Sequence, residues 1–197
     1  MSAAVGRSRV GRERFERIYE ASEDPWGYAT SDYEREKYAD TIAALPPRAL
    51  GTVLEVGCSI GVFTALLAPR CRRLVAIDFS ERALTLARTR LAGLPRVELA
   101  LASFPEQAPS ERFDLIVCSE VLYYLDAAAF ARALQWLGGR LADGASVLAV
   151  SWRGEGREEP MTGDQAHDRL TEALGRWHAL DARRAGYRLD RFDGDVV

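Results

Sequence analysis

Cysteine is scarce in this chain of 197 residues, and the three present, Cys58, Cys71 and Cys118, are an odd number without metal-ligand spacing. That argues against a disulfide framework or a thiolate metal centre and is what reduced thiols in a cytoplasm look like. Long apolar runs are missing too. None reaches membrane-spanning length, and no signal-peptide core follows the N-terminal arginines, so a cytoplasmic protein is expected. Neither charge sign dominates: 26 Lys and Arg against 29 Asp and Glu leave a net −3. This offers no general attraction to nucleic acid or to an anionic membrane. Arg7, Arg9, Arg12, Arg14 and Arg17, set against Glu13 and Glu16, are the one local bias, and a solvated arm explains them better than a phosphate contact. Histidine occurs twice, with no clustered His/Asp/Glu set for a metal. Repeats and low-complexity segments are absent. What remains is an ordinary globular composition, 48% apolar and 28% charged, expected as one domain over residues 1–197 with a sizeable core. Heavy Ala and Arg usage points to a GC-rich bacterial source.

Periodicity and turn residues then divide the chain. A short helix is expected over 8–20, followed by a loop with Asp24-Pro25-Trp26-Gly27-Tyr28. Asp32 caps a helix over 33–44, which Pro46-Pro47 stops. From there strands and helices alternate: strand 52–56, helix 61–69, strand 73–77, helix 81–92 capped by Ser80, strand 97–101, strand 113–118, helix 127–141 and strand 145–151. Asp164 starts a helix over 165–174. Strand-like pieces at 177–183 and 186–192, joined at Ala185-Gly186, read as a closing hairpin. The alternation implies a largely parallel sheet covered on both faces.

The most informative stretch is Thr52-Val53-Leu54-Glu55-Val56-Gly57-Cys58-Ser59-Ile60-Gly61, a strand ending in an acid and a small-residue turn. A second strand-like run, Leu74-Val75-Ala76-Ile77, ends on Asp78. A bare turn after one strand and an acid at the tip of the next is a layout for gripping a nucleoside. A dinucleotide fingerprint needs G-x-G-x-x-G, but the equivalent positions here are Gly57, Ser59 and Val62, so the pyrophosphate seat is missing. The pattern present resembles motif I of class I S-adenosylmethionine-dependent methyltransferases, whose cofactor has no phosphate.

That resemblance implies a Rossmann-like, three-layer, doubly wound α/β fold. Its mostly parallel seven-stranded sheet ends in an antiparallel hairpin, with residues 1–45 as a helical lid on a core over 50–197. It also implies roles for particular residues. Gly57 and Gly61 line the methionine end of S-adenosylmethionine, Cys58 fills a small-residue slot, and Glu55 anchors the turn or reaches the ligand's ammonium through water. Asp78, followed by Phe79, accepts from both ribose hydroxyls. After the third strand the family usually places an acid at the adenine edge. Ser103 holds that slot here, a departure that puts adenine contacts in doubt, with Phe104 placed to pack on the ring. The fourth strand runs into Ser119-Glu120-Val121-Leu122-Tyr123-Tyr124-Leu125, where the backbone passes the methionine moiety.

Several segments further resemble the nodulation protein S family of methyltransferases. They are Asp24-Pro25-Trp26-Gly27-Tyr28, Tyr33-Glu34-Arg35-Glu36-Lys37-Tyr38, motif I, Ser119 to Leu125, and Tyr187-Arg188-Leu189-Asp190. The resemblance implies N-methylation of a free amine on an amino sugar or a related small molecule, with no nucleic-acid or membrane partner. Small-molecule O-methylation and a binding protein without turnover are the alternatives. Trp26, Tyr28, Tyr33 and Tyr38 are candidates for an aromatic lid over the sulfonium, and Arg35 or Lys37 for pairing with the cofactor's carboxylate. Glu120 is the first candidate for a base, with a cofactor contact or a buried structural acid as the other reading. His167 is the second. Tyr124 and Tyr123 either orient the substrate or fill core, and Trp152 offers a stacking face for a sugar.

Overall fold

The computed structural model describes residues 11–154 and 159–195. The arginines at 7 and 9 and the start of the helix expected from residue 8 lie outside them. Two helices, α1 (Arg12–Ala21) and α2 (Asp32–Ala43), precede an alternating core. The core runs β1 (Leu50–Val56), α3 (Val62–Leu67), β2 (Cys71–Asp78), α4 (Glu81–Leu91), β3 (Val97–Leu101), β4 (Leu115–Ser119), α5 (Ala127–Ala142), β5 (Ser146–Trp152), α6 (Gly163–Leu174), β6 (His178–Arg183) and β7 (Tyr187–Asp193). The strands form one sheet in the order β3-β2-β1-β4-β5-β7-β6, parallel except for β7, which pairs antiparallel with both β5 and β6. This is the Rossmann-like class I arrangement that the alternation implied.

Alternating side chains sort onto two faces. Leu54, Val56, Ile116, Cys118, Val147 and Ala149 pack under α5 and α6, while Val53, Leu115, Val117, Leu148 and Val150 pack under α2 and α3. Burial on both sides is what makes β1, β2, β4 and β5 read as near-continuous apolar runs. Chain order reverses between β1 and β4, so the carboxyl ends of these two strands frame a crevice.

Two caps and two element bounds differ from the expected ones. Ser31, not Asp32, caps α2 by accepting from the Glu34 amide, and Asp32 becomes its first residue. Thr162 caps α6 in a reciprocal box with Gln165, so Asp164 lies inside the first turn. Helix α3 is shorter than expected because Pro69 passes it into a 3-10 turn at Ala68–Arg70. The fourth strand starts later than expected, at Leu115, since the Asp114 carboxylate is occupied by the Gly51 and Thr52 amides. Among the described residues no helix is long and apolar enough to cross a membrane.

Candidate functional site

The turn after β1 is built by backbone that few residues tolerate. Gly57 and Gly61 sit at φ of +77° and +79°, and Ser59 between them at +50°. A Cβ on Gly57 would lie 2.3 Å from Val121 Cγ2, so the β4 loop closes directly on this glycine. Gly57 and Cys58 donate their amides to the Ile77 carbonyl, which fastens the turn to β2. Asp78 then receives the Ser59 amide on Oδ2 and the Ser80 amide on Oδ1, both at 2.9 Å. Each oxygen keeps a lone pair, and two adjacent acceptors suit a vicinal diol. Burial pushes its carboxyl up to about 6 against these amides, which favour the ionised form.

Beside Asp78 lies a partly open cavity at the carboxyl ends of β1, β2 and β4. Gly57, Ser59, Phe79, Ala102, Phe104, Ser119 and Tyr124 contribute to its wall. Helix α1 and the following loop contribute Phe15, Tyr19, Trp26 and Tyr28. The rings are contiguous: Trp26 lies 5.5–6.0 Å from Phe15, Tyr19 and Tyr28, and Phe15 lies 5.1 Å from Phe79 and edge-on at 5.1 Å to Tyr124. Glu16 docks α1 by accepting from the Glu81 and Arg82 amides and the Ser80 hydroxyl, so one helix supplies the N-terminal cap of another. Tyr19 and Ser59 share a hydrogen bond across the same junction.

A smaller cavity adjoins the first and shares Tyr28, Gly57, Ser59, Ser119 and Glu120 with it. Its wall adds Lys37, Glu55 and Cys58. Glu120, at φ +56°, is the hub. Its Oε1 accepts from Lys37 Nζ at 2.7 Å, and its Oε2 accepts from the Tyr123 hydroxyl at 2.7 Å and the Trp152 amide at 2.9 Å. Lys37 also donates to Glu34 Oε1 at 2.9 Å. Burial raises Glu34 despite Lys37, and burial takes Glu55 up to about 8, with Thr64 opposing. With Glu55 held protonated, Asp78 and Glu120 still outnumber the one ammonium, Lys37, in these aromatic-lined walls, which favours cationic ligands.

The structure gathers Trp26, Glu55, Gly57, Cys58, Asp78, Phe79, Phe104, Ser119, Glu120 and Tyr124 around the two cavities. It does not bring the others there. Gly61 opens no ligand path; its bare Cα makes room for Leu91, whose Cδ1 would lie 2.8 Å from a Cβ. Ser103 is outside the wall, its amide donated to Gln107 Oε1, and Ala102 and Phe104 flank the cavity instead. Tyr33 spends its hydroxyl on the Gly186 carbonyl and stacks edge-on with Tyr187. Arg35 is solvent-exposed, paired with Asp32 and donating to the Thr30 carbonyl. His167 is fully buried between α6 and β7, its Nδ1 on Asp190 Oδ2, and Asp190 also takes His178 Nε2. That histidine belongs to a structural network with Arg188, not to the cavity. Among the described residues no three His, Cys, Asp or Glu side chains converge as a metal-ligating group.

Sequence reasoning missed Phe15, Tyr19, Ser59 and Glu16. The first two stand four apart on an amphipathic helix, a signal for one buried face. Nothing in residue type marks Ser59 or Glu16, whose roles depend on elements distant in sequence.

A family model described as Nodulation protein S (NodS) matches residues 11–155. The Nodulation protein S of Sinorhizobium fredii is 38% identical over 124 residues, 62% of this chain and 57% of that protein. The one from Bradyrhizobium diazoefficiens is 34% identical over 137 residues, 68% of this chain and 66% of that protein. The matched region thus spans less than two thirds of either relative's length. The crystal structure of N-methyltransferase NodS from Bradyrhizobium japonicum in complex with S-adenosyl-L-homocysteine superposes with a TM-score of 0.77 at 27% identity, covering 93% of this chain and 97% of that one.

Proposed function

The chain belongs to the nodulation protein S family, and on that premise we propose that it is an S-adenosylmethionine-dependent methyltransferase acting on the free amine of an amino sugar or a related small molecule. The observation that carries the amine reading is the wall of the adjoining cavities, where the carboxylates of Asp78 and Glu120 outnumber one ammonium, Lys37, under an aromatic cover, while burial keeps Glu55 protonated. Such a wall selects cations and leaves anionic acceptors unpaired.

When bound, S-adenosylmethionine would supply a sulfonium-activated methyl group to an acceptor nitrogen that has first given up its ammonium proton to water. Asp78 holds the ribose hydroxyls and Phe79 and Phe104 flank the base. Lys37, the cation in the wall of the smaller cavity, takes the cofactor's carboxylate, whereas Arg35 lines neither cavity and pairs with Asp32 at the surface. Phe15, Tyr19, Trp26 and Tyr28 exclude water and present ring faces to positive charge. Glu120 already accepts three hydrogen bonds on its two oxygens, so it acts by orienting the acceptor's N–H with its remaining lone pair more than as a strong base. Alignment of the amine with the methyl carbon then supplies most of the rate enhancement. Trp152, 40% exposed and tied through its amide to Glu120, offers its indole to the sugar ring.

Two measurements test this reading. Calorimetric titration is expected to show binding of S-adenosyl-L-homocysteine and none of NAD. Turnover is expected with glucosamine oligomers and not with their hydroxyl analogues. Equal methylation of amine and hydroxyl acceptors would overturn the amine assignment, and absence of homocysteine-nucleoside binding would overturn the cofactor.

A further inference from the structure

Lys37 is the only lysine in a chain whose 26 Lys and Arg are otherwise arginine, and it is 2% exposed. An exposed cation in so arginine-rich a sequence would be arginine by usage alone, so a buried lysine calls for a reason in its chemistry. Its Nζ meets carboxylates from two elements at once, Glu34 within α2 and Glu120 at the end of β4. A compact ammonium with three rotatable donors can serve two such oxygens and keep its third N–H, whereas a planar guanidinium cannot occupy the same enclosed point. Lys37 also lies in the wall of the smaller cavity, while Glu120 lies in the walls of both.

We propose that Lys37 is a positioning residue that couples the two ligands: the cofactor's carboxylate draws on the ammonium shared with Glu120, and Glu120, less neutralised, then holds the acceptor's amine more tightly. This coupling rests on the cofactor and amine readings given above. Before ligands bind, Lys37 is divided between Glu34 and Glu120, with Tyr123 and the Trp152 amide completing Glu120. The other titratable groups in the walls include Glu55 on β1 and Asp78 on β2, both carboxyls, and among the described residues Lys37 is the one cation lining either cavity, with Arg14 and Glu159 acting from outside the walls on Tyr124. Two sites that share one charge are energetically linked, and the linkage is reciprocal.

The single lysine makes the test direct. In the full chain, the 13Cε resonance of Lys37 is followed during titration with S-adenosyl-L-homocysteine and with 5′-methylthioadenosine, which lacks the amino-acid end. It is expected to move with the first and stay with the second. Glucosamine titrated into each complex is expected to bind about tenfold tighter with S-adenosyl-L-homocysteine, an ordinary size for allosteric coupling. Glu120→Gln should abolish that difference while the Lys37 resonance still responds to S-adenosyl-L-homocysteine, and Lys37→Arg should not restore what Lys37→Met loses.

Equal glucosamine affinity in the two complexes, or a difference that persists in Glu120→Gln, overturns the coupling and leaves the methyltransferase reading standing. A Lys37 resonance indifferent to S-adenosyl-L-homocysteine that nonetheless binds overturns the role of Lys37 alone. Failure of glucosamine to bind in either complex overturns the amine reading and the coupling with it.

Discussion

At the residue scale the site depends on carboxyls held where water is scarce. Asp78 is the clearest case: on the ribose assignment proposed above, removing it takes away two charged acceptors, each hydrogen bond to an ionised group being worth roughly 1.5–3 kcal/mol. Asp78→Ala is therefore expected to weaken S-adenosyl-L-homocysteine binding by at least about 100-fold with an unchanged circular dichroism spectrum. Ribose hydroxyls donate to the ionised form, so affinity should fall as pH drops through about 6, the value to which burial raises this carboxyl. Calorimetry near pH 6 in buffers of different ionisation enthalpy should register proton release on binding. Glu55 gives the complementary effect on the fold. Burial lifts its folded value from 4.5 to about 8, so the native state holds the proton over that window while the unfolded chain has lost it. Its contribution to stability is full below 4.5 and is lost as pH rises through about 8. Denaturant midpoints should decline over that range in the wild type and less steeply in Glu55→Gln.

Whole elements are held to the site by a few polar contacts. Helix α1 meets α4 through Glu16, which satisfies amides at the start of α4, with Arg82–Glu20 as an exposed companion. Glu16→Ala leaves the packing of Phe15 and Tyr19 but removes this dock. Hydrogen exchange of the α1 amides is expected to quicken and S-adenosyl-L-homocysteine affinity to drop several-fold, whereas unchanged exchange would show that the aromatic contacts alone hold the helix. Helix α2 is joined to β4 by Lys37. Replacing it with methionine leaves Glu34 and Glu120 facing one another without a cation, a defect that costs about 3–5 kcal/mol when buried. A large drop in melting temperature for Lys37→Met, partly recovered in Glu34→Gln/Lys37→Met, is the expected pattern.

Across the whole molecule, the network of His167, His178, Arg188 and Asp190 stands apart from the cavities and ties α6 to the antiparallel end of the sheet. His167→Ala removes a buried partner of an ionised carboxylate and is expected to cost about 2–4 kcal/mol of stability. Turnover per folded molecule should stay the same; a selective loss of turnover would return His167 to the chemistry. The sheet order follows from the same distribution of polarity. Parallel strands buried on both faces carry the core, and polar residues enter it only where such networks or the site absorb them.

How much of this was legible in the chain depends on the range of the interaction. The alternation of elements, the glycine turn, Asp78 and the closing hairpin were written locally, because backbone conformation and hydrophobic period are properties of a few consecutive residues. Family motifs extended that to the cofactor. Gly61 and Gly57 look alike in sequence, yet only Gly57 faces ligand space, since what each bare Cα meets, Leu91 or Val121, comes from elsewhere in the fold. Arg35 and Lys37 are two residues apart on one helix, and rotation of about 100° per residue sends one to solvent and the other into the interior. Glu120 read as a candidate base, with a cofactor contact or a buried structural acid as the other reading, and it is the meeting point of α2, the β4 loop and β5. The sequence by itself determined the architecture, which local periodicity encodes, and it marked the glycine turn and Asp78 as the candidate nucleoside site. Tertiary structure alone decided which charges share a cavity, because electrostatic partners are chosen by distance through space and by exclusion of water.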